Sequence, residues 1–81
     1  MQIAVNFYSY FKDLTGCANT TESLPDGSTL DDLLRKLFAR FPKLTAMEKA
    51  LLVAVGVDYQ PRNYGLNDCD EVSLFPPVQG G

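Results

Sequence analysis

One segment near the middle of the chain has the hydrophobic spacing of a helix, and it limits the folds open to the rest. Its apolar residues fall on one helical face: Leu30, Leu33, Leu34, Leu37, Phe38 and Phe41. Thr29 can cap this helix through its hydroxyl, and Asp31 and Asp32 suit the positive end of the helix dipole. Pro42 ends the helix because proline cannot donate the backbone hydrogen bond that another turn needs. The pattern predicts one amphipathic helix that packs on a sheet.

Two strand patterns precede this helix. Side chains alternate over residues 2–8, so that Phe7 shares one face with two other apolar residues and Tyr8 lies on the other face. Residues 9–14 predict a short helical turn that ends at Gly16. The threonine-rich residues 18–24 then predict a second strand, which pairs with the first and stops at the turn formers of residues 25–27.

Two more strand patterns follow the helix. The apolar run 51–57 predicts a central strand, and residues 58–70 are rich in turn formers. Residues 71–75 predict the last strand, with Val72 and Leu74 towards the core and Phe75 on the opposite face.

This order of strands and helix predicts an α+β fold of the β-grasp, or ubiquitin-like, kind, with a mixed sheet packed against one main helix. We assign residues 1–75 to this domain and residues 76–81 to an extended C-terminal Gly-Gly tail. A chain of 81 residues buries only roughly 60 to 65% of its unfolded surface. A deep active site of its own is therefore not expected.

The charge balance restricts the partners. A net charge of −3 opposes binding to nucleic acid, where affinity comes mainly from Lys and Arg. The longest apolar run, residues 50–55, is far shorter than the ~20 residues of a membrane span, and the first residues lack the basic region of a signal peptide. We expect a cytosolic protein without a nucleic-acid or membrane partner, in which Cys17 and Cys69 are reduced.

The usual catalytic groups are missing from the sequence. The chain contains no histidine, and its two cysteines lack the spacing of a zinc site. No glycine-rich loop has the phosphate-binding pattern. The carboxylates at residues 31–32 and 68–71 suit a helix start and a solvated turn. We expect no metal, no bound cofactor and no catalysis by this chain alone.

The C-terminus is the unusual part of the sequence. After Phe75 it reads Pro76, Pro77, Val78, Gln79, Gly80 and Gly81. The prolines favour an extended exit from the last strand, and six residues reach roughly 20 Å. Two glycines without Cβ atoms allow a narrow channel to close around bare backbone. A frayed terminus is the plainer interpretation of such an ending.

The ending resembles that of a known family. Residues 67–72, Asn-Asp-Cys-Asp-Glu-Val, followed by residues 75–81, Phe-Pro-Pro-Val-Gln-Gly-Gly, resemble the DGDEV and FPPVxGG motifs of the molybdopterin synthase small subunit, a ubiquitin-like sulfur carrier. Residues 5–8, 12–16 and 51–55 extend the likeness over nearly the whole chain.

The sequence departs from the family pattern at four positions. Lys12 and Asp13 replace arginine and glutamate, and Gly56 stands where asparagine is common. Cys69 replaces the turn glycine. Because a cysteine with positive φ costs of order 1 kcal/mol, we expect this turn to adopt another geometry.

The resemblance implies how the tail works. An adenylating enzyme related to those that activate ubiquitin would use ATP to convert the Gly81 carboxylate into an acyl-adenylate, and a persulfide donor would turn that into a thiocarboxylate. The tail, residues 76–80, would carry it into a pocket of the large synthase subunit, where the sulfur attacks a cyclic pyranopterin monophosphate during molybdenum cofactor biosynthesis.

Docking needs a surface as well as a tail. Phe75 is the main candidate because it faces away from the core residues of its strand. Phe7 and Tyr59 are weaker candidates, since Phe7 is at least as well explained as a core residue beside Val5 and Tyr59 as part of a loop.

Two alternatives use the same residues. A sulfur carrier for thiamine, thiolated tRNA or cysteine synthesis would have the same tail chemistry with other partners. A ubiquitin-like interaction or modifier domain would join Gly81 to a lysine or leave it unused. The Pro-Pro-Val context favours molybdopterin.

The sequence predicts that Val78 to Gly81 are more mobile than the central strand in the isolated protein, because two prolines precede residues with few packing groups. Backbone NMR relaxation measures this. Order parameters in the tail as high as those of residues 51–55 would contradict the prediction.

Overall fold

The first and last strands of the chain lie side by side in the centre of one mixed sheet. The computed structural model describes residues 1–77. Its elements are β1 (Gln2–Phe7), α1 (Phe11–Thr15), β2 (Asn19–Ser23), α2 (Leu30–Arg40), a 3₁₀ helix (Pro42–Met47), β3 (Leu52–Val55), β4 (Asp58–Tyr59) and β5 (Glu71–Phe75). The strand order is β2-β1-β5-β3-β4. Only β1 and β5 run parallel, and the other neighbours are antiparallel. The predicted β-grasp fold is confirmed.

Helix α2 covers one face of this sheet. Its buried residues Leu30, Leu33, Leu34 and Leu37 are all fully shielded from solvent. They join one core cluster with the inward side chains of the sheet, which include Ile3, Val5, Phe7, Val53, Val55, Val72 and Leu74. Burial of this many large apolar side chains is the main force that holds a chain of this length together.

The start of α2 is fixed as its sequence predicts. The Thr29 side chain accepts a hydrogen bond from the Asp32 backbone N–H, and the Asp32 carboxylate accepts one from the Thr29 N–H at 2.9 Å. This hydrogen bond lowers the pKa of Asp32 below its ordinary value. The ionised Asp32 carboxylate therefore stabilises the folded protein at neutral pH, and this stabilisation is lost as the pH falls through the lowered pKa.

Three local features differ from the sequence prediction. Helix α2 ends at Arg40, and Pro42 then begins a 3₁₀ helix that the sequence analysis missed. Strand β3 ends at Val55 because Gly56 turns the chain with a φ of 63°. Strand β4 lies inside the segment predicted as turns. It was not recognised because a strand of two residues is too short to show an alternating pattern.

The turn before β5 keeps the geometry that suits glycine. Cys69 has a φ of 69°, so the expectation of another geometry is wrong. The backbone holds this conformation because the Cys69 N–H donates to the Gln2 carbonyl at 3.0 Å and the Asp70 N–H to that of Asn67 at 3.1 Å. The hydrogen bond between this turn and the start of β1 therefore holds Cys69 in its positive-φ conformation.

Strand β5 ends at Phe75, the last residue of the predicted domain. Pro76 and Pro77 are half-buried. The rest of the predicted tail, Val78 to Gly81, lies outside the described residues. None of the helices in residues 1–77 has the length and apolar character needed to cross a membrane.

Replacing Cys69 by glycine should stabilise the protein by about 0.5–1 kcal/mol, because glycine adopts a positive φ without the Cβ penalty. Urea unfolding monitored by circular dichroism measures the change. Cys69→Ala is the matched control, since it removes the thiol and keeps the Cβ. Equal stability of the two variants would contradict the argument.

Candidate functional site

The face of the sheet that turns away from α2 carries the residues of the predicted docking surface. Side chains alternate along β5, so Val72 and Leu74 enter the core while Phe75 lies on the opposite face, as predicted. The strand register places Phe75 beside Leu52 of β3. It also places Tyr59 of β4 beside Ala54, on this same open face.

Three aromatic rings meet on this open face. The rings of Tyr8 and Phe75 stack with centroids 4.7 Å apart and planes 10° from parallel. Tyr59 approaches Phe75 edge-on at 6.3 Å. Tyr8 is 42% exposed and Tyr59 66% exposed, while Phe75 is half-buried between them. We call Tyr8, Tyr59 and Phe75 the aromatic patch.

The aromatic patch lies at the root of the tail. Phe75 is the last residue of β5, and Pro76 follows it directly. The Tyr8 N–H donates to the Leu74 carbonyl at 3.1 Å, which ties the end of β1 to the end of β5. The chain therefore leaves the sheet beside an exposed apolar surface, so that a partner binding the patch would also meet the start of the tail.

The structure corrects one of the three predicted interface residues. Phe7 is 1% exposed and packs edge-on against Phe41 with centroids 5.5 Å apart. It lies in register with Leu74, on the core face of the sheet. Phe7 is thus a core residue, and its assignment to an interface is wrong.

Tyr8 is the residue that the sequence analysis missed. The alternation along β1 had already placed Tyr8 on the face opposite Phe7. The signal for an exposed anchor was this aromatic ring on the outer face of β1, the strand that lies beside β5. Only the parallel pairing of β1 with β5 brings that ring onto Phe75.

Acidic side chains concentrate at the other end of the sheet. Asp70 and Glu71 lie at the start of β5, and Asp58 lies opposite Val55 at the far end of β3. The Asp68 carboxylate accepts a hydrogen bond from the Gln2 N–H at 2.8 Å, and this bond lowers the pKa of Asp68. Asp70 and Glu71 therefore lie at the opposite end of β5 from the start of the tail.

Residues 1–77 contain little that could carry out chemistry. No group of three or more potential metal ligands occurs in this part of the chain, and no cavity is found there. Both cysteines are free thiols: Cys17 is half-buried and Cys69 is exposed. The described residues thus offer a docking surface and the start of a tail, while Gly81 lies outside them.

Comparison with known proteins identifies the relatives of this chain. The model of the ThiS family matches residues 5–81. The molybdopterin synthase sulfur carrier subunit of Chlamydomonas reinhardtii is 34% identical over 83 aligned residues, which cover 100% of both chains.

Two solved structures extend this likeness. The putative molybdopterin converting factor subunit 1 of Pyrococcus furiosus superposes with a TM-score of 0.89 at 26% identity, covering 96% of this chain and 99% of that one. A chain in the complex of subunits 1 and 2 of the Helicobacter pylori molybdopterin-converting factor matches at a TM-score of 0.72 and 26% identity, with 100% of both chains covered.

The two phenylalanines of the predicted interface should differ in their contributions to stability. Phe7→Ala should lower the free energy of unfolding by about 3–5 kcal/mol, because it removes a fully buried ring. Phe75→Ala should cost about 1 kcal/mol, since its ring is partly solvated and gains mainly from stacking on Tyr8. Urea denaturation measures both values. Similar losses in the two variants would contradict the assignment of the faces.

Proposed function

Because this chain belongs to the ThiS family, we propose that it is a sulfur carrier and the small subunit of a molybdopterin synthase. Its working group is the C-terminal carboxylate of Gly81. The observation that carries the proposal is where the described chain leaves the sheet: Pro76 directly follows Phe75 of the aromatic patch, and the sequence beyond it ends in two glycines. The molybdopterin synthase sulfur carrier subunit of Chlamydomonas reinhardtii, which bears this name, is covered over its whole length by this chain.

The carboxylate of Gly81 must be activated before it can accept sulfur. A terminal carboxyl group has a pKa near ~3.5, so it is ionised at neutral pH and is a poor electrophile. An adenylating enzyme binds ATP and activates the carboxylate with it. A carboxylate oxygen attacks the α-phosphorus of ATP, pyrophosphate leaves and an acyl-adenylate forms. The chain itself holds no cofactor in this scheme.

Sulfur then replaces oxygen on the same carbon. The terminal sulfur of a persulfide donor attacks the acyl-adenylate, and AMP leaves. A thiol then attacks the donor's sulfur in the resulting acyl disulfide, which forms a disulfide between the thiol and the donor and releases the thiocarboxylate on Gly81. Because the reacting group is the end of the chain, this sequence needs no catalytic side chain from residues 1–77.

The aromatic patch docks the carrier on the large subunit. Rings that are partly exposed in the free protein become buried in such a complex, which is the usual behaviour of interface anchors. The Helicobacter pylori relative occurs in a complex of subunits 1 and 2, which supports a partner of this kind. From the patch, a tail of six residues reaches roughly 20 Å, enough to enter a pocket on the partner.

Catalysis then belongs to the large subunit. Its pocket holds the cyclic pyranopterin monophosphate, and the thiocarboxylate of Gly81 attacks this substrate on the way to the dithiolene of molybdopterin. An acidic chain of net charge −3 is poorly suited to hold a phosphate, so the basic residues come from the partner. Both partners and the carrier itself meet in the cytosol.

The competing functions predict other partners or other products. A carrier for a different sulfur pathway would form the same thiocarboxylate and fail to bind the large subunit. A modifier would form an isopeptide bond with a lysine and carry no sulfur. The name shared by full-length relatives favours the synthase subunit.

Replacing Tyr8 or Phe75 by alanine should weaken binding to the large subunit at least tenfold, because each change removes one ring of the stacked pair in the patch. Isothermal titration calorimetry measures the affinity, and a thermal melt confirms the fold. Tyr10→Ala is the control, since Tyr10 is 43% exposed and lies outside the patch. Unchanged affinity in both patch variants would show that docking uses another surface.

Deleting Gly81 should abolish molybdopterin production with fold stability unchanged. The deletion draws the carboxylate back by one residue, about 3.3–3.6 Å, while reacting atoms must approach to about 3–3.5 Å. Gly81→Ala should be milder because it keeps the chain length. The assay combines the carrier with purified adenylating enzyme, sulfur donor and large subunit. Turnover by the truncated chain equal to that of the full chain would refute the proposed role of Gly81.

A further inference from the structure

The outer edge of the sheet is formed by β2. Within residues 1–77, β2 pairs only with β1. Met1 and Leu24 exchange two backbone hydrogen bonds across this pair, at 2.7 and 3.0 Å. Because the ladder of an antiparallel pair alternates, the backbone groups of Asn19, Thr21 and Ser23 point outwards. Outward backbone groups along an edge strand are a template for pairing with another strand.

Strand β2 itself has few of the features that usually prevent edge pairing. Its sequence is Asn-Thr-Thr-Glu-Ser, without a proline or a lysine, and threonine favours strands. Its charged residue, Glu22, is in register with Ile3 and points to the face that α2 covers. The five-residue strand is also longer than β4, the two-residue strand at the other edge.

Two cationic side chains of α2 donate hydrogen bonds to outward carbonyls of this edge. The Lys36 ammonium donates to the Ser23 carbonyl at 2.7 Å. The Arg40 guanidinium donates to the Thr21 carbonyl at 3.2 Å. These are two of the outward carbonyls of β2, so the long side chains of the helix reach around the edge and occupy its acceptors.

Glu22 holds both cations in place. Its carboxylate lies 3.0 Å from Arg40 and 4.0 Å from Lys36. The Glu22 side chain is only 11% exposed, whereas those of Lys36 and Arg40 are about half exposed. Glu22 stands between Thr21 and Ser23 in the chain, so one carboxylate directs the two cations to the carbonyls on either side of it. We call Glu22, Lys36 and Arg40 the edge latch.

We propose that the edge latch keeps the protein from pairing through β2 with β2 of a second copy. Two free edges of this kind can join as antiparallel strands and continue the sheet. A second copy would have to displace Lys36 and Arg40 on both chains before the outward groups could pair. The latch shares no residue with the aromatic patch, whose rings belong to β4, to β5 and to the residue that follows β1.

The test removes the latch with the triple variant Glu22→Gln, Lys36→Met, Arg40→Met. Analytical ultracentrifugation should show the mass rising from 9.0 kDa towards twice that value, with the midpoint concentration at least tenfold lower than for the native chain, equivalent to ~1.4 kcal/mol. Arg35→Met is the control. It changes the net charge by the same one unit and lies on α2, paired with Asp31 rather than with β2.

A fourth change identifies the surface that associates. Thr21→Pro in the triple variant should restore the monomer, because the Thr21 N–H points outwards and a proline there blocks a new strand without breaking the β1–β2 ladder. Hydrogen exchange gives a second readout: in the associated triple variant the Thr21 and Ser23 amides should become at least tenfold more protected. A triple variant as monomeric as the native chain, or an associated one whose Thr21 and Ser23 amides stay unprotected, would overturn the proposal.

Discussion

The parallel pairing of β1 with β5 is the contact on which the rest of this structure depends. It joins the two ends of the chain, places Val5 beside Val72 and Phe7 beside Leu74, and so builds the centre of the face on which α2 packs. Parallel neighbours require a crossover, and here the long connection contains every other element. The same pairing brings the ends of both strands together, which fixes where the tail begins.

The point where the tail begins is the feature that connects the fold to the proposed function. Tyr8 ends up against Phe75 because their strands run in the same direction, so the exposed rings and the start of the tail share one end of the sheet. Asp70 and Glu71 lie at the opposite end of β5. Residues 1–77 therefore present a docking surface and the start of the tail at one end of the sheet, and in the proposed function the activation and transfer of sulfur are carried out by the partners.

The fold was predictable where local patterns are strong. Leucines at helical spacing after Thr29 predicted α2, and the alternation of Val72 and Leu74 predicted β5. The docking surface was harder, because it depends on which strands become neighbours. Phe7 was a weaker candidate for it, at least as well explained as a core residue, and the structure places it in the core. Tyr8 was missed. The φ of Cys69 likewise follows from pairing with Gln2, far away in sequence.

In the proposed function, the carboxylate of Gly81 carries the sulfur. Intact mass spectrometry with fragmentation tests this role, after incubation with ATP, the adenylating enzyme and a persulfide donor. We expect a mass gain equal to the exchange of one oxygen for one sulfur, located on Gly81. An unchanged mass, or sulfur found on Cys17 or Cys69 instead, would contradict it.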